Sequence, residues 1–339
     1  MNWFGCVIML DMSQKTVLFI APSFYGYEKA IIGKLKKLFK KVIYVNETIN
    51  NNSLYYKFVN NFANDSMPEA MEHFFINSVK QITRDVDFVF CIRCYYLNLT
   101  CLEYMHNYFK KGCKFINYQW DSSDIVPIIK ETFNLYDRVL TFDIKDSSQF
   151  GWIYRPLFYI KEYLDNQNSK VFDVLSVCSY NSERYRIYDR LKRYLLDKGL
   201  DYSINIYCKP SYYFLKKYIK KDKGFVNVSY NNLSSRKLSL GELYSMYARA
   251  KCVFDNTISE QTGFTMRTIE CIGSKCKLIT NNKMIFNADF YNENNYYYYN
   301  KDEYDIDLEF IRGKYIELPY EIYNRYSLDS FLEDIFREG

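Results

Sequence analysis

The stretch Asp255-Asn256-Thr257-Ile258-Ser259-Glu260-Gln261-Thr262-Gly263-Phe264-Thr265-Met266-Arg267-Thr268-Ile269-Glu270 holds residue types at spacings that suit gripping an anion and a diol. A strand is expected to end near Asp255, and a helix to begin at Thr262 or Gly263. The free N–H groups of a helix start attract anions, and Gly263, with no Cβ, lets a diphosphate come close to the backbone. Arg267, one turn along, can offer those phosphates a fork of charge-assisted hydrogen bonds. Glu270 shares its face at i+3 and can accept from two neighbouring hydroxyls, as a ribose presents them. A plainer account fits the same residues. Glycine is common at a helix N-terminus, and Arg267 with Glu270 could form an i,i+3 ion pair worth about 0.2–0.5 kcal/mol. Spacing alone leaves both readings open.

Three acids in the first half are candidate catalytic groups. Asp121 directly follows a strand-like run and could serve as a general base, which must lie within hydrogen-bond reach of the proton it takes. It equally suits a helix N-cap. Asp124 lies three residues on, where a helix is expected to begin, and Asp143, also at a strand end, is the reserve candidate. Ser122 has no histidine nearby, so no nucleophile arrangement forms around it. Cys91 and Cys94 make a lone C-x-x-C, and His73 and His106 lack ligand spacing to it. No metal and no cofactor are therefore expected.

The elements that must position these residues alternate between short β-branched or aromatic runs and helical stretches, the pattern of βαβ units and parallel sheets. In the first half, strands are predicted at 16–21, 41–45, 87–92, 114–118, 138–142 and 153–155, with helices near 27–40, 66–83, 98–110 and 124–134. Residues 164–170 (LDNQNSK) read as a linker. The pattern then restarts, with strands at 171–177, 203–208, 225–228, 252–255, 277–280 and 296–299. Helices are predicted at 182–198, 210–220, 240–250, 263–273 and 328–337. The expected architecture is α/β, with two Rossmann-like doubly wound domains facing a cleft: an N-terminal acceptor domain over 1–163 and a donor domain over 171–320. The segment 321–339 is expected to form a C-terminal helix packing back on the first domain. Ligands of such sheets bind beyond the carboxyl ends of the strands.

Bulk composition agrees with a folded enzyme-sized protein. The chain has 339 residues, 48% hydrophobic and 25% charged, which excludes wholesale disorder and suits two domains. Its 36 Tyr and 26 Phe accompany abundant Lys, Asn and Ile, as AT-rich coding does. A net charge of +5 without one concentrated stripe argues against a nucleic-acid partner. Basic residues do cluster at 34–41 and 216–223; the first cluster reads as a solvated helix face or as a soft contact with anionic lipid headgroups. Of ten cysteines, Cys91, Cys113, Cys178, Cys208 and Cys252 lie in apolar strand-like runs, where a free thiol behaves as a small hydrophobe. With no secretory signal or membrane-length apolar run, a cytoplasmic protein is expected, with peripheral contact at the inner membrane surface. Residues 1–11 are expected to be an upstream extension, because Met12 begins a cleaner reading.

The stretch Gln261 to Glu270, running on to Lys277-Leu278-Ile279-Thr280-Asn281, resembles the donor-site segment of bacterial GT-B glycosyltransferases. More narrowly, it is similar to CgeB-like, group-1-type proteins of capsule and lipopolysaccharide biosynthesis. Tyr118-Gln119-Trp120-Asp121-Ser122, Asp137 to Asp143, Arg155-Pro156-Leu157-Phe158-Tyr159, Phe172-Asp173-Val174 and Ser182-Glu183-Arg184-Tyr185 resemble the same proteins, so the likeness spans most of 16–335. The resemblance implies that Glu270 binds the donor ribose and that Gly263, Phe264 and Thr265 receive the diphosphate. It implies a nucleotide-sugar donor and a glycan or lipid-linked glycan acceptor. Ser179, Asn181 and Arg184, in the turn after the second domain's first strand, are expected to face the donor phosphates, and Lys209 to neutralise the leaving diphosphate. Each of these four also suits an ordinary solvated surface. The E-x7-E pair of group-1 transferases is not reproduced, because Glu260 stands ten residues before Glu270, so no retaining mechanism carries over. A GT-B-like nucleotide-sugar epimerase and a non-catalytic nucleotide- or carbohydrate-binding protein are the alternatives.

Overall fold

Two parallel β-sheets organise the chain in a computed structural model, which describes residues 11–47, 67–93, 96–124, 130–163, 169–257, 262–300 and 306–337. Residues 1–10 of the expected extension 1–11, and most of the expected linker, 164–168, lie outside the described residues. The chain divides into two compact units. The first takes in the described residues up to Leu157, with Thr262–Gly263 and Leu328 onward; the second holds Phe158 to Thr257 and Phe264 to Ser327. The division at Leu157/Phe158 falls ahead of 164–170 because Phe158, Tyr159 and Ile160 are buried with the second unit.

The first unit contains strands β1 (Thr16–Ala21), β2 (Lys41–Asn46), β3 (Phe88–Ile92), β4 (Lys114–Gln119), β5 (Arg138–Thr141) and β6 (Ile153–Tyr154). All are parallel, in the order β2-β1-β3-β4-β5-β6, so the winding direction reverses between β1 and β3. β1 and β3 are buried along their whole length, as expected of strands covered on both faces. Leu18, Ile20, Val89 and Cys91 point to one face. There they meet Met71, Phe75 and Val79 of α2 (Met67–Lys80) and Leu102 and Met105 of α3 (Leu99–Tyr108). α1 (Tyr27–Leu38) buries Tyr27, Ile31 and Leu35, a stripe at i, i+4 and i+8.

Residues 328–337 close this unit from the far end of the sequence. Helix α11 (Leu328–Ile335; α4 to α10 are introduced below) sets Phe331 edge-on to Tyr118 at 4.8 Å, and the following Phe336 packs on Phe39, Phe88 and Phe90. Lys34 pairs with Asp329 at 2.6 Å and Arg155 with Asp334 at 2.7 Å, while Arg138 donates to the carbonyls of Ile335 and Arg337 at the helix C-terminus.

The second unit is a five-stranded parallel sheet of β7 (Phe172–Ser179), β8 (Tyr202–Tyr207), β9 (Ala250–Asp255), β10 (Lys277–Thr280) and β11 (Tyr296–Tyr298), in the order β11-β10-β9-β7-β8. Its winding reverses between β7 and β9. α5 (Ser182–Asp197) buries Tyr188, Leu191 and Leu195 on the sheet. α7 (Leu240–Ala248) opens with a capping box from Ser239 and Glu242. Buried Lys277 donates to the carbonyls of Phe310, Ile311 and Gly313, capping α9 (Leu308–Arg312).

The two-sheet α/β architecture is the class expected, with differences in detail. Residues 225–228 do not form a strand; a 3-10 turn over Lys223–Phe225 tucks Phe225 and Val228 into a small cluster with Cys208 and Tyr213. Within 124–134, Lys130–Leu135 is a 3-10 helix, and 125–129 lie outside the described residues. Two α-helices had no prediction, α4 (Ile144–Phe150) and α9 (Leu308–Arg312), and the segment 321–339, expected to form one C-terminal helix, carries two, α10 (Tyr320–Arg325) and α11. The helix expected from 263 starts later, as α8 (Met266–Gly273). No helix among the described residues is long and apolar enough to cross a membrane.

Because Phe331 is fully buried, Phe331→Ala should remove about 3–5 kcal/mol from the stability of the first unit. The check is a lowered midpoint of chemical unfolding.

Candidate functional site

In the second unit, the point where the winding reverses puts the carboxyl ends of β7 and β9 side by side, with α5 and α8 leaving in opposite directions. Three of the expected donor-binding residues lie on the α8 side. Thr265 is the N-cap of α8, where its hydroxyl accepts from Thr268 N at 3.2 Å and donates to Asp255 Oδ2 at 2.5 Å. This cap uses one of the helix's free N–H groups; those of Met266 and Arg267, in the first turn, have no intrahelical acceptor. Arg267 departs from the expected phosphate fork. Its Nε bonds Asp255 Oδ1 at 2.6 Å and its Nη1 the Val177 carbonyl at 3.2 Å. Burial alone would lower the guanidinium's pKa, but the adjacent Asp255 carboxylate outweighs it and holds the pKa well above its ordinary value. So engaged, the guanidinium braces β7, β9 and α8 rather than offering a free fork, and the Asp255 carboxylate neutralises its charge.

Glu270 is buried at 1% exposure, and its Oε2 accepts from the Tyr247 hydroxyl at 2.9 Å. The carboxylate thus sits one turn beyond Arg267, on the inner face of α8, with its rotamer set by α7. On the β7 side, Ser179 is the exposed last residue of its strand. Asn181 is the N-cap of α5, and its side chain accepts from Glu183 N and Arg184 N, so its oxygen serves the helix rather than a ligand. Arg184 is half-buried in the first turn of that helix. Lys209 is exposed, follows β8 and precedes Pro210 at the start of α6 (Pro210–Phe214). Because β8 is the edge strand, Lys209 stands one strand further from the reversal than Ser179 does.

The three candidate acids of the first unit have different surroundings. Asp143 caps α4 and is fully buried, accepting from Lys145 N at 2.9 Å and Asp146 N at 3.3 Å. The same carboxylate accepts from Thr262 Oγ1 at 2.6 Å, Thr262 N at 3.2 Å and Gly263 N at 3.3 Å. Its lone pairs are committed, so it positions residues 262–263 rather than taking a proton. Asp124 is exposed and paired with the Lys145 ammonium. Asp121 is half-buried after β4 and pairs with Arg93 Nε at 3.2 Å. Burial pushes its pKa upward, and the nearby Arg93 charge only partly offsets this. Arg93 itself has φ 67°, a left-handed conformation uncommon for a residue with a Cβ. No group of three His, Cys, Asp or Glu among the described residues could hold a metal ion.

Gly263 and Phe264 therefore precede the helix instead of opening it. A Cβ on Gly263 would lie 2.5 Å from the Phe142 ring and 2.6 Å from its carbonyl oxygen, so the residue must be glycine for close packing in the first unit. Phe264 is buried against Phe290. Glu260 lies outside the described residues. Sequence reasoning assigned no role to Asp255, Tyr247, Arg93 or Thr262. Only Asp255 carried a signal, as an acid ending an otherwise apolar strand run.

No family model matches this sequence, and no curated protein matches it. Comparison with solved structures does find similar folds. An α-glucosyltransferase in complex with UDP and a mismatched DNA 13-mer superposes with a TM-score of 0.55 at 11% identity, covering 96% of each chain. HepE from Anabaena, in complex with UDP-glucose, gives 0.58 at 8% identity over 94% of this chain and 98% of its own. A structure described as a UDP-N-acetylglucosamine 2-epimerase from Listeria monocytogenes gives 0.51 at 9%, over 93% and 95%. At such identities the likeness concerns the fold, which is of the GT-B type and is shared by transferases and epimerases alike.

Two outcomes follow for stability. Arg267→Met leaves Asp255 buried without its cation and should cost about 3–5 kcal/mol, read as a fall in unfolding midpoint. Gly263→Ala should also lower the midpoint, whereas Thr262→Ser, which keeps the hydroxyl for Asp143, should change it little.

Proposed function

We propose that this chain transfers a glycosyl group from a nucleotide-sugar donor to a glycan or lipid-linked glycan acceptor of a bacterial surface polysaccharide. The observation that carries the reading is the layout at the reversal of the second sheet. The first turn of α8 presents N–H groups, the Arg267–Asp255 pair braces that turn, and Glu270 follows one turn later. A nucleoside diphosphate suits these groups in this order, with amide donors for the phosphates and a carboxylate for the ribose diol. The molecules bound in two structures of similar fold, UDP and UDP-glucose, are of this class.

In this scheme the acceptor hydroxyl gives its proton to Asp121 as its oxygen bonds to the anomeric carbon. The bond from that carbon to the diphosphate breaks, and the nucleoside diphosphate leaves with the electron pair. In the scheme the charge on the leaving group is borne by the α8 N-terminus, and no step is routed through a metal or cofactor. Asp121 suits the task because its raised pKa makes it a stronger base than an ordinary aspartate, and it is partly open to solvent.

Thermal unfolding with UDP, GDP, CDP, CMP and dTDP tests the donor site, since a ligand at 100 times its Kd adds about 2.7 kcal/mol. One nucleotide should raise the midpoint of the wild type but not that of Glu270→Gln. If Glu270→Gln unfolds earlier yet keeps the full ligand shift, Glu270 is structural and the donor site lies elsewhere.

Asp121→Asn should retain the nucleotide shift while turnover collapses. In the wild type, activity should fall as pH drops through the raised Asp121 pKa, above the ordinary value of about 3.9. Turnover without an acceptor, with the sugar's C2 epimerised, would instead support the epimerase reading.

A further inference from the structure

The second basic cluster has no part in the chemistry above, and its surroundings are unusual for a soluble surface. Fourteen large apolar side chains are exposed among the described residues, and six of them fall between 212 and 226: Tyr212, Phe214, Leu215, Tyr218, Ile219 and Val226. Ile219 is 74% exposed, Val226 63% and Tyr218 59%. Scattered exposed apolar residues need no explanation, but a concentrated group does. Among these six stand Lys216, Lys217, Lys220, Lys221 and Lys223, against a single acid, Asp222, which Lys216 binds at 3.1 Å.

Local structure explains why these side chains point outward. α6 runs into one π-helical turn over Leu215–Ile219, closed by the bond from Lys220 N to the Leu215 carbonyl at 2.8 Å. Tyr213 faces inward instead, packing with Phe225 and Val228 and donating its hydroxyl to the Val228 carbonyl at 2.9 Å. Tyr180 anchors the return of the loop by bonding the Gly224 carbonyl. The element is thus held from beneath by its own small core, and Phe214 stacks on Tyr218 at 5.8 Å on its outer side. The Lys216 and Lys217 ammonium groups lie 5.4–5.9 Å from the rings of Tyr212, Tyr213 and Tyr218. Lys216 is held by Asp222 and Lys217 donates to the Val228 carbonyl, whereas Lys220, Lys221 and Lys223 are exposed.

We infer that residues 210–226 form a docking surface for an anionic lipid bilayer, inserting Phe214, Tyr218 and Ile219 at the headgroup boundary with the lysines on the phosphates. Charge complementarity selects this occupant: the exposed Lys220, Lys221 and Lys223 beside an apolar tip match a negative surface that accepts apolar side chains. The inference rests on this surface alone and does not depend on the glycosyl-transfer reading.

The test is co-sedimentation of the whole chain with phosphatidylcholine vesicles, with and without phosphatidylglycerol. Wild type should bind the anionic vesicles and not the neutral ones, and lose binding as salt rises. The exposed substitutions Phe214→Ser with Ile219→Ser, and separately Lys220→Glu with Lys221→Glu, should each weaken binding by about tenfold or more. Their unfolding midpoints should stay near that of wild type. Lys36→Glu with Lys37→Glu, in the other basic cluster, should leave vesicle binding unchanged. Three results would overturn the inference. The wild type could fail to sediment with anionic vesicles. Both double variants could bind as wild type does. Or the patch could instead mediate self-association without lipid, seen as a concentration-dependent dimer that Phe214→Ser with Ile219→Ser abolishes while vesicle binding persists.

Discussion

The buried pair of Asp255 and Arg267 is the interaction on which the second unit's site depends. Removing two charges from water is costly, and a pair repays that cost only when its geometry is good and the remaining lone pairs and protons are also bonded. Here Asp255 bonds the Arg267 guanidinium with one oxygen and the Thr265 hydroxyl with the other, while the guanidinium reaches on to the Val177 carbonyl. Three elements, β7, β9 and the cap of α8, are thereby fixed at one point. The orientation of the α8 amides, and so their value to an anion, follows from this contact.

A similar arrangement occurs in the first unit. Asp143 stands after β5 as Asp255 ends β9. Both are fully buried, and both accept from a threonine hydroxyl, at 2.6 Å from Thr262 and 2.5 Å from Thr265. In each case a strand-end carboxylate organises the peptide that follows or packs on it. Such acids are saturated with donors and poorly suited to moving protons. Asp121 contrasts with them, being half-open, with its pKa raised and only one cation opposite it.

Much of the fold was legible in the sequence because buried parallel strands announce themselves as apolar runs. β1, β3 and β10 fall where 16–21, 87–92 and 277–280 predicted them. Short helices were less readable: α4 is seven residues long, with a capping aspartate as its main local mark. The run 225–228 misled because Phe225 and Val228 are apolar for the sake of a small cluster rather than a sheet. In the candidate site, the stretch from Asp255 to Glu270 was visible but its wiring was not. Gly263 reads as a phosphate glycine, whereas its lack of a Cβ answers to the Phe142 ring, more than a hundred residues earlier in the chain. Arg267 likewise pairs with an acid twelve residues upstream rather than with its helical neighbour's face, a choice that spacing on one helix does not encode.

The closure of the first unit by α11 also bears on how the chain is made. Its sheet is complete by residue 154, yet the apolar socket formed by Phe39, Phe88 and Phe90 receives Phe336 only after the whole second unit has been synthesised. The bond from Arg138 to the Ile335 carbonyl spans 197 residues of sequence. At translation rates of about 5–20 residues per second, that socket stays open to water for roughly ten seconds or longer. During this interval the nascent chain presents an aromatic surface to chaperones and to other nascent chains. The first unit therefore cannot be fully closed before the second is made, and its yield in a cell should depend on how well that waiting surface is guarded.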